Sequence, residues 1–540
     1  MKIRNSSFLL LISITLISSC AKTGRPDGGP KDELAPLFVT SEPPYETINF
    51  SSKEVTLDFN EFVKLKNLNK QLVVSPPLKN PLLISPQGTA SKTLNIEILD
   101  TLAINTTYIF NFGNAIEDNN ESNVLEGFKY VFSTGTYIDS LEFSGTIANA
   151  FSNKKPKKTN IVLYRIDSTF TDSIIYNKKP NYVTTALDTT GFNFTNLKKG
   201  KYLLLALKQS SNDYIFNPTV DEIGFYKDTI RLPKDSSIIK PIKLFKELQP
   251  YQFKRAKEAY KGKITFGYVG VAKDLKVELL SKVSDSFRSI SRFEIDKDTL
   301  NYWHTPINVD SLNFIVSNAI FSDTVTVKFR KKKIDSLTLS PSTTGVLHLR
   351  DTFFIKSNTP IIKIDTSKVW LTAADTISVK YEHYVSKKEN KIGFIFDKKQ
   401  KEKYNLKAFP GGFSDLYAVK NDTLSFNFRT RDLEDYGRIT MDIINSGSEN
   451  LIVELLTGKE NDQVVERRYI TTSETLVFDL LEPKSYTVRA IIDANKNNKW
   501  DTGSYLLKIL PENILYYSEE LKVRANYFLE GNTFTIENPK

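Results

Sequence analysis

The chain has 540 residues, 40% hydrophobic and 12% aromatic, and 73 Lys and Arg against 63 Asp and Glu leave a net charge of +10. That apolar content builds several hydrophobic cores, and 35 Phe and 25 Tyr beside only two Met favour strands over helices. A single cysteine excludes a disulfide-stapled scaffold, so each domain rests on its own core.

At the N-terminus, Lys2 and Arg4 precede an apolar run, Phe8 to Ile17, closed by Ser18, Ser19 and Cys20. A positive start, a short apolar core, small residues and then cysteine form the layout of a bacterial lipoprotein signal. A membrane-spanning helix needs roughly 20 apolar residues, and this run is too short. The expected fate of 1–19 is removal as a signal peptide, with lipid attached to Cys20. A buried free cysteine after an ordinary secretory signal is the alternative. Residues 20–35 include Gly24, Pro26, Gly28, Gly29 and Pro30 and read as a flexible tether. Loss of Lys2 and Arg4 takes the charge from +10 to +8, and the remaining charges are dispersed, which argues against nucleic acid. The densest basic run, Arg330–Lys333, reads as the cap of a solvated turn, with polyanion contact as the sharper alternative.

From Pro36 onward short alternating runs such as Val55-Thr56-Leu57-Asp58-Phe59 are separated by turn residues, and residues 36–137 read as a β-sandwich. Residues 138–245 form a second β unit, in which Lys198-Lys199-Gly200 is expected to close a hairpin. Phe253 to Tyr260 is the best helical stretch of the mature chain, so 246–262 reads as a connector with a short helix. Residues 263–342 then form a middle β domain.

Two internal echoes follow. Tyr108, Asp118, Asn123 and Phe132-Ser133-Thr134 recur as Tyr404, Asp415, Asn421 and Phe428-Arg429-Thr430. Tyr202 to Leu207 aligns with Tyr486 to Ile491, which places Phe216 on Trp500 and Asn217 on Asp501. Residues 343–447 therefore repeat the first unit and 448–540 the second. The expected fold is all-β, tandem sandwiches in a string stacked end to end.

Ser41-Glu42-Pro43-Pro44, Val55 to Glu61, Val74-Ser75-Pro76 and Phe132-Ser133-Thr134-Gly135 carry a resemblance. With them residues 36–137 resemble the SbsA-type bacterial Ig-like domain, and the chain looks like Bacteroidota lipoproteins that carry one such domain behind a tether. The second and last units resemble transthyretin-type or carboxypeptidase-regulatory-type sandwiches through a Gly-Phe…Leu…Gly-x-Tyr pattern. The resemblance implies spacers or binding modules and carries over no catalytic residue.

Chemistry is sparse. Asp493, Asn495, Asn497, Lys499 (through its carbonyl) and Asp501 imitate a calcium loop, although Asn498 stands where glycine is usual and Ser504 where a bidentate Glu is usual. Weak calcium binding and an Asx-rich turn are the two readings of this loop. Asp118 to Asn123 reads as a solvated loop. His304, His348 and His383 are far apart, and no nucleophile elbow, phosphate loop or metalloprotease motif occurs, so no enzyme is expected. Asp-Ser/Thr before an aliphatic residue or Thr recurs twelve times, with acceptors Thr101, Ser140, Ser168, Ser173, Thr189, Thr229, Thr299, Ser311, Thr324, Ser336, Thr376 and Thr423. This pattern resembles the O-glycosylation sequon that Bacteroidota use on exported proteins. Such pairs also begin strands in any chain with many turns.

The expectation is a non-enzymatic scaffold anchored to the outer membrane through its lipid, facing either side, with an envelope protein or a glycan as partner. The alternative is a surface adhesion or carbohydrate-binding lipoprotein, with an aromatic face near Tyr302, Trp303 and Trp500.

Overall fold

The computed structural model describes residues 32–537 apart from 188, 273, 296, 331, 448 and 459–461. The signal segment, Cys20 and most of the tether lie outside the described residues.

Five β-sandwiches follow one another along the chain. In the first, Glu54–Leu65 buries Val55, Leu57 and Phe59 and turns Glu54 and Asn60 to solvent, as period-two alternation dictates. One sheet runs Phe38–Glu42, Glu54–Leu65, Ser91–Glu97, Leu83–Ser85. It faces Val73–Ser75, Thr107–Gly113 and Phe128–Ser133 across a core that includes Leu57, Phe110 and Phe132.

The second domain places Leu141–Asn149 between Gly191–Leu197 and the parallel strand Ile242–Leu244. The expected hairpin at Lys198-Lys199-Gly200 is not formed. Gly191–Leu197 pairs with Leu141–Asn149, while Gly200–Lys208 pairs with Thr159–Arg165 in the opposite sheet. The reason is burial. Tyr202 to Leu207 is buried on both faces, and a strand covered on both faces belongs at the centre of a sheet. The short link is an arch over the core.

The third domain corrects the helical expectation. Gln252–Tyr260 is a strand antiparallel to Lys263–Val269, joined through Lys261-Gly262, where Gly262 takes φ +84°. Two register shifts, at Phe253/Arg255 and Glu258/Tyr260, break the alternation and make the segment look helical in sequence. Eight residues are too few for a stable isolated helix, and a neighbouring strand supplies the backbone bonds instead. The third domain therefore starts at Gln252 and not after a connector. The basic run caps this hairpin: Lys332 Nζ donates to the Glu258 carbonyl at 2.6 Å and Arg330 N to Glu258 Oε2 at 2.9 Å.

Two other boundaries move. Leu339–Pro341 pairs with Phe353–Ser357 and so belongs to the fourth domain. Gly437–Asn445 pairs with Glu474–Leu481 and, in parallel, with Phe528–Ile536, and so opens the fifth.

The repeats are visible atom by atom. The Tyr108 and Tyr404 hydroxyls accept the amides of Ala103 and Lys399, each five residues upstream. Their rings stack on Phe132 and Phe428, both at 5.6 Å. Tyr202 and Tyr486 donate to the carbonyls of Lys198 and Glu482, each four residues upstream.

The string does not run on end to end. The first domain seats on the second, where Val183 N donates to Ser75 Oγ at 3.1 Å. The third meets the fourth through Arg292 on the Glu389 carbonyl (2.8 Å) and Tyr417 Oη on the Gly262 carbonyl (2.8 Å). The fourth meets the fifth through His348 Nε2 on the Leu480 carbonyl (2.8 Å). The fifth then folds back onto the second, so domains two to five close a loop.

Candidate functional site

That closure is built from a buried aromatic ring, an ion pair and several hydrogen bonds between the second and fifth domains. Tyr505 of the fifth domain is fully buried in the second domain's cluster, edge-on to Phe225 at 5.7 Å. Its hydroxyl reaches Asp172 Oδ1 at 3.2 Å, where Lys508 Nζ also donates at 2.6 Å. Its amide donates to Glu247 Oε1 at 2.6 Å, and Thr502 Oγ1 donates to the Lys246 carbonyl at 2.7 Å. Alongside, Arg489 lies 4.3 Å over the Phe151 ring and donates to the Phe151 carbonyl at 3.1 Å. Arg489 and Glu454, 2% and 1% exposed, form an ion pair at 2.6 Å. A buried pair of this kind fixes geometry more than it adds stability.

The loop that sends Trp500 to Tyr505 into this contact is the calcium-like one. Strand Ser485–Ile492 ends at Asp493, which is buried. Its two carboxylate oxygens accept the amides of Asn497 (3.0 Å) and Asn498 (2.8 Å). The Asn495 and Asn497 amide groups both donate to Asp501 Oδ2, at 2.5 and 2.6 Å. Lys496 and Asn498 take φ 62° and 60°, so Asn498 does adopt the left-handed backbone usual for glycine there. Sequence reading missed Glu512. Its carboxylate accepts the Ala494 amide at 2.8 Å and the Asp501 amide at 3.0 Å and so ties both ends of the loop. Burial, then the charges of Asp501 and Asp493, push Glu512 above the ordinary carboxyl range despite those two bonds. The arrangement satisfies itself as an Asx turn. Among the described residues no three His, Cys, Asp or Glu gather where a metal could sit.

The other candidates disperse. Asp118, 1% exposed, accepts four amides, from Asn120, Glu121, Ser122 and Asn123. Its loop is an Asx cap, with three of those amides on Oδ1 and that of Asn123 on Oδ2. His304 is stacked between Phe287 and Phe329, and His348 lies edge-on to Tyr436. His383 sits on the exposed strand Glu382–Val385. Tyr302 belongs to the third core, and Trp303, 3% exposed, lies under Lys263 Nζ at 5.1 Å. Trp500 packs on Phe151 at 4.8 Å. These three aromatics form no common face, which corrects the expected sugar platform. None of the twelve Asp-Ser/Thr acceptors is buried: Thr229, Thr299 and Ser311 are half-buried and the other nine exposed.

The Tyr505 contact left little mark in the sequence. In the run Tyr505-Leu506-Leu507-Lys508-Ile509-Leu510 only Tyr505 is buried, while Leu506, Leu507, Ile509 and Leu510 remain exposed.

With this geometry in place, comparison with known proteins adds the following. Residues 32–134 match the bacterial Ig-like domain family. No curated protein matches the chain. Among solved structures, the S-layer protein rSbsC is 11% identical, covering 90% of this chain and 67% of its own, with a TM-score of 0.14. Tandem Ig repeats of Dlar are 10% identical, over 34% and 99% of the two chains, at 0.13. The titin I9–I11 tandem is 10% identical, over 52% and 100%, at 0.12. At those scores the likenesses carry no argument about function.

Proposed function

We propose that the chain is a non-enzymatic, lipid-anchored scaffold of the outer membrane that presents a partner away from the bilayer. The observation that carries this reading is where the conspicuous residues are spent. Tyr505, the Arg489–Glu454 pair, Trp303 and His348 all sit at contacts between domains. Such a chain invests in its own shape. Among the described residues no helix is long and apolar enough to cross a membrane, and acylation of Cys20 supplies the attachment in this reading. Cys20→Ser is expected to move the protein from the membrane to the soluble fraction. Retention of the variant in the membrane would overturn the anchor, and turnover in a polysaccharide or peptide screen would overturn the non-enzymatic role. Protease shaving of intact and permeabilised cells, probed at the fifth domain, decides which side it faces.

The reading includes weak calcium binding at Asp493, Asn495, Asn497, the Lys499 carbonyl and Asp501. The spacing of its oxygen side chains supports it, and Asn497 draws the two acids together, its backbone amide donating to Asp493 Oδ1 at 3.0 Å and its side-chain amide to Asp501 Oδ2 at 2.6 Å. Millimolar Ca²⁺ is expected to raise the melting temperature over an EDTA control. An unchanged melting temperature leaves the loop an Asx turn. It also includes O-glycans on several of the twelve acceptors, supported by their exposure. Glycopeptide mass spectrometry of the native protein checks this, and unmodified peptides at all twelve refute it.

A further inference from the structure

We infer that the outer face of one sheet in the fourth domain binds an acidic saccharide. The inference goes beyond the scaffold reading and does not depend on it. The sheet comprises Val369–Ala373, Lys403–Ala408 and Leu424–Arg429. Its register sets Trp370 beside Lys407 and Ser425, and Thr372 beside Asn405 and Asn427. The first domain holds the equivalent rows, Val73 beside Asn111 and Lys129, and Ser75 beside Ile109 and Val131.

In the first domain that face is a protein contact. Val73, Ile109 and Val131 are 6%, 7% and 4% exposed because the second domain lies over them. In the fourth domain the face is open, with Trp370 52% exposed. The fifth-domain strand that corresponds to the covering one, Gln463–Ile470, is equally bare, with Val465 and Tyr469 45% and 53% exposed. The three aliphatic positions that seat a protein in the first domain have become Trp370, Asn405 and Asn427.

The chemistry that replaces them suits a sugar acid. Trp370 is the one tryptophan of the three not covered by a neighbouring domain. Its indole is held by Phe409, edge-on at 4.8 Å, and by its Nε1 donating to the Ser367 carbonyl at 3.0 Å. A fixed, open aromatic plane takes the C–H face of a pyranose ring. Next to it Asn405 Nδ2 donates to Ser425 Oγ at 2.8 Å and to Asn427 Oδ1 at 2.6 Å, a row of amides and hydroxyls with remaining capacity for sugar hydroxyls. Lys403, Lys407 and Arg429 share the face, and no carboxylate occupies any of its eight outward strand positions. Charge complementarity selects a uronate or a sulfated sugar over a neutral one.

The test is affinity electrophoresis of the full mature chain, as Cys20→Ser, in gels containing polygalacturonate, alginate or chondroitin sulfate, with dextran as the neutral control. Retardation by at least one acidic polymer and not by dextran is expected. Trp370→Ala is expected to weaken it at least tenfold at unchanged melting temperature. Lys403→Gln with Lys407→Gln and Arg429→Gln is expected to weaken it and flatten its salt dependence. No retardation by any of the three, or retardation that Trp370→Ala leaves intact, overturns the inference. Loss of co-purification with an envelope protein in Trp370→Ala, without saccharide binding, also overturns it and assigns the face to a protein partner.

Discussion

Two buried titratable groups give the residue scale its sharpest tests. Burial pushes the Asp118 carboxyl up, but the amides of Asn123, Glu121, Ser122 and Asn120 outweigh it and hold the group below its ordinary value. A depressed carboxyl contributes stability that is present at neutral pH and lost as pH falls below about 4. Asp118→Ala is expected to cost about 2 kcal/mol, because four amides lose their acceptor. Hydrogen exchange in residues 116–124 reads the loss, and unchanged protection would contradict it. His304 runs the same way for a different cause. Burial lowers it, against the opposing bond to the Thr305 carbonyl, so the ring is favoured neutral. A lowered histidine gives stability present above about pH 6.5 and lost on acidification through that value. His304→Phe keeps the ring stack with Phe287 and Phe329, and it is expected to remove the acid sensitivity of the third domain in a pH series of melting curves. An unaltered pH profile in the variant would reject the assignment.

Elements differ in how much of them could be read in advance. Strands with unbroken alternation, such as Glu54–Leu65, announce themselves, because one face meets a core and the other meets water. Gln252–Tyr260 does not, because two bulges disturb its period. The arch at Lys198-Lys199-Gly200 was hidden for another reason. Two consecutive strands look alike whether they pair with each other or across a core, and only their partners decide. The Asp493–Asp501 loop was legible by its spacing, but Glu512 was not, because it comes from a later segment brought alongside by folding. The Trp500 to Leu510 segment is where an element-scale prediction belongs. Tyr505→Ala removes a fully buried ring, a change worth roughly 3–5 kcal/mol in a packed core. The contact is expected to open while the second and fifth domains stay folded. Limited proteolysis should then cut within 500–510, and resistance equal to the parent protein would contradict this. Gly503 offers an independent route, since a Cβ there would meet the Phe245 ring and the Ile509 carbonyl, each at 2.7 Å.

For the whole molecule, repetition in sequence did not mean repetition in assembly. The first and fourth domains share strand order and stacked Tyr–Phe pairs, yet one seats its neighbour on a sheet face and the other leaves that face open. The difference lies in three side chains, Val73, Ile109 and Val131 against Trp370, Asn405 and Asn427. It also lies in the contact between the second and fifth domains, which pulls the fifth domain round. A closed set of four domains resists bending in a way an open string does not, which suits the scaffold role proposed above. The measurement that tests this most directly is a spin-label distance between Asn153→Cys and Glu520→Cys, which line one cavity between the second and fifth domains. Cys20→Ser leaves these as the only thiols in the mature chain. A single short distance distribution, widened by Tyr505→Ala, is the predicted result. A broad distribution at several tens of ångströms in the parent protein would show an open string and contradict the closed arrangement.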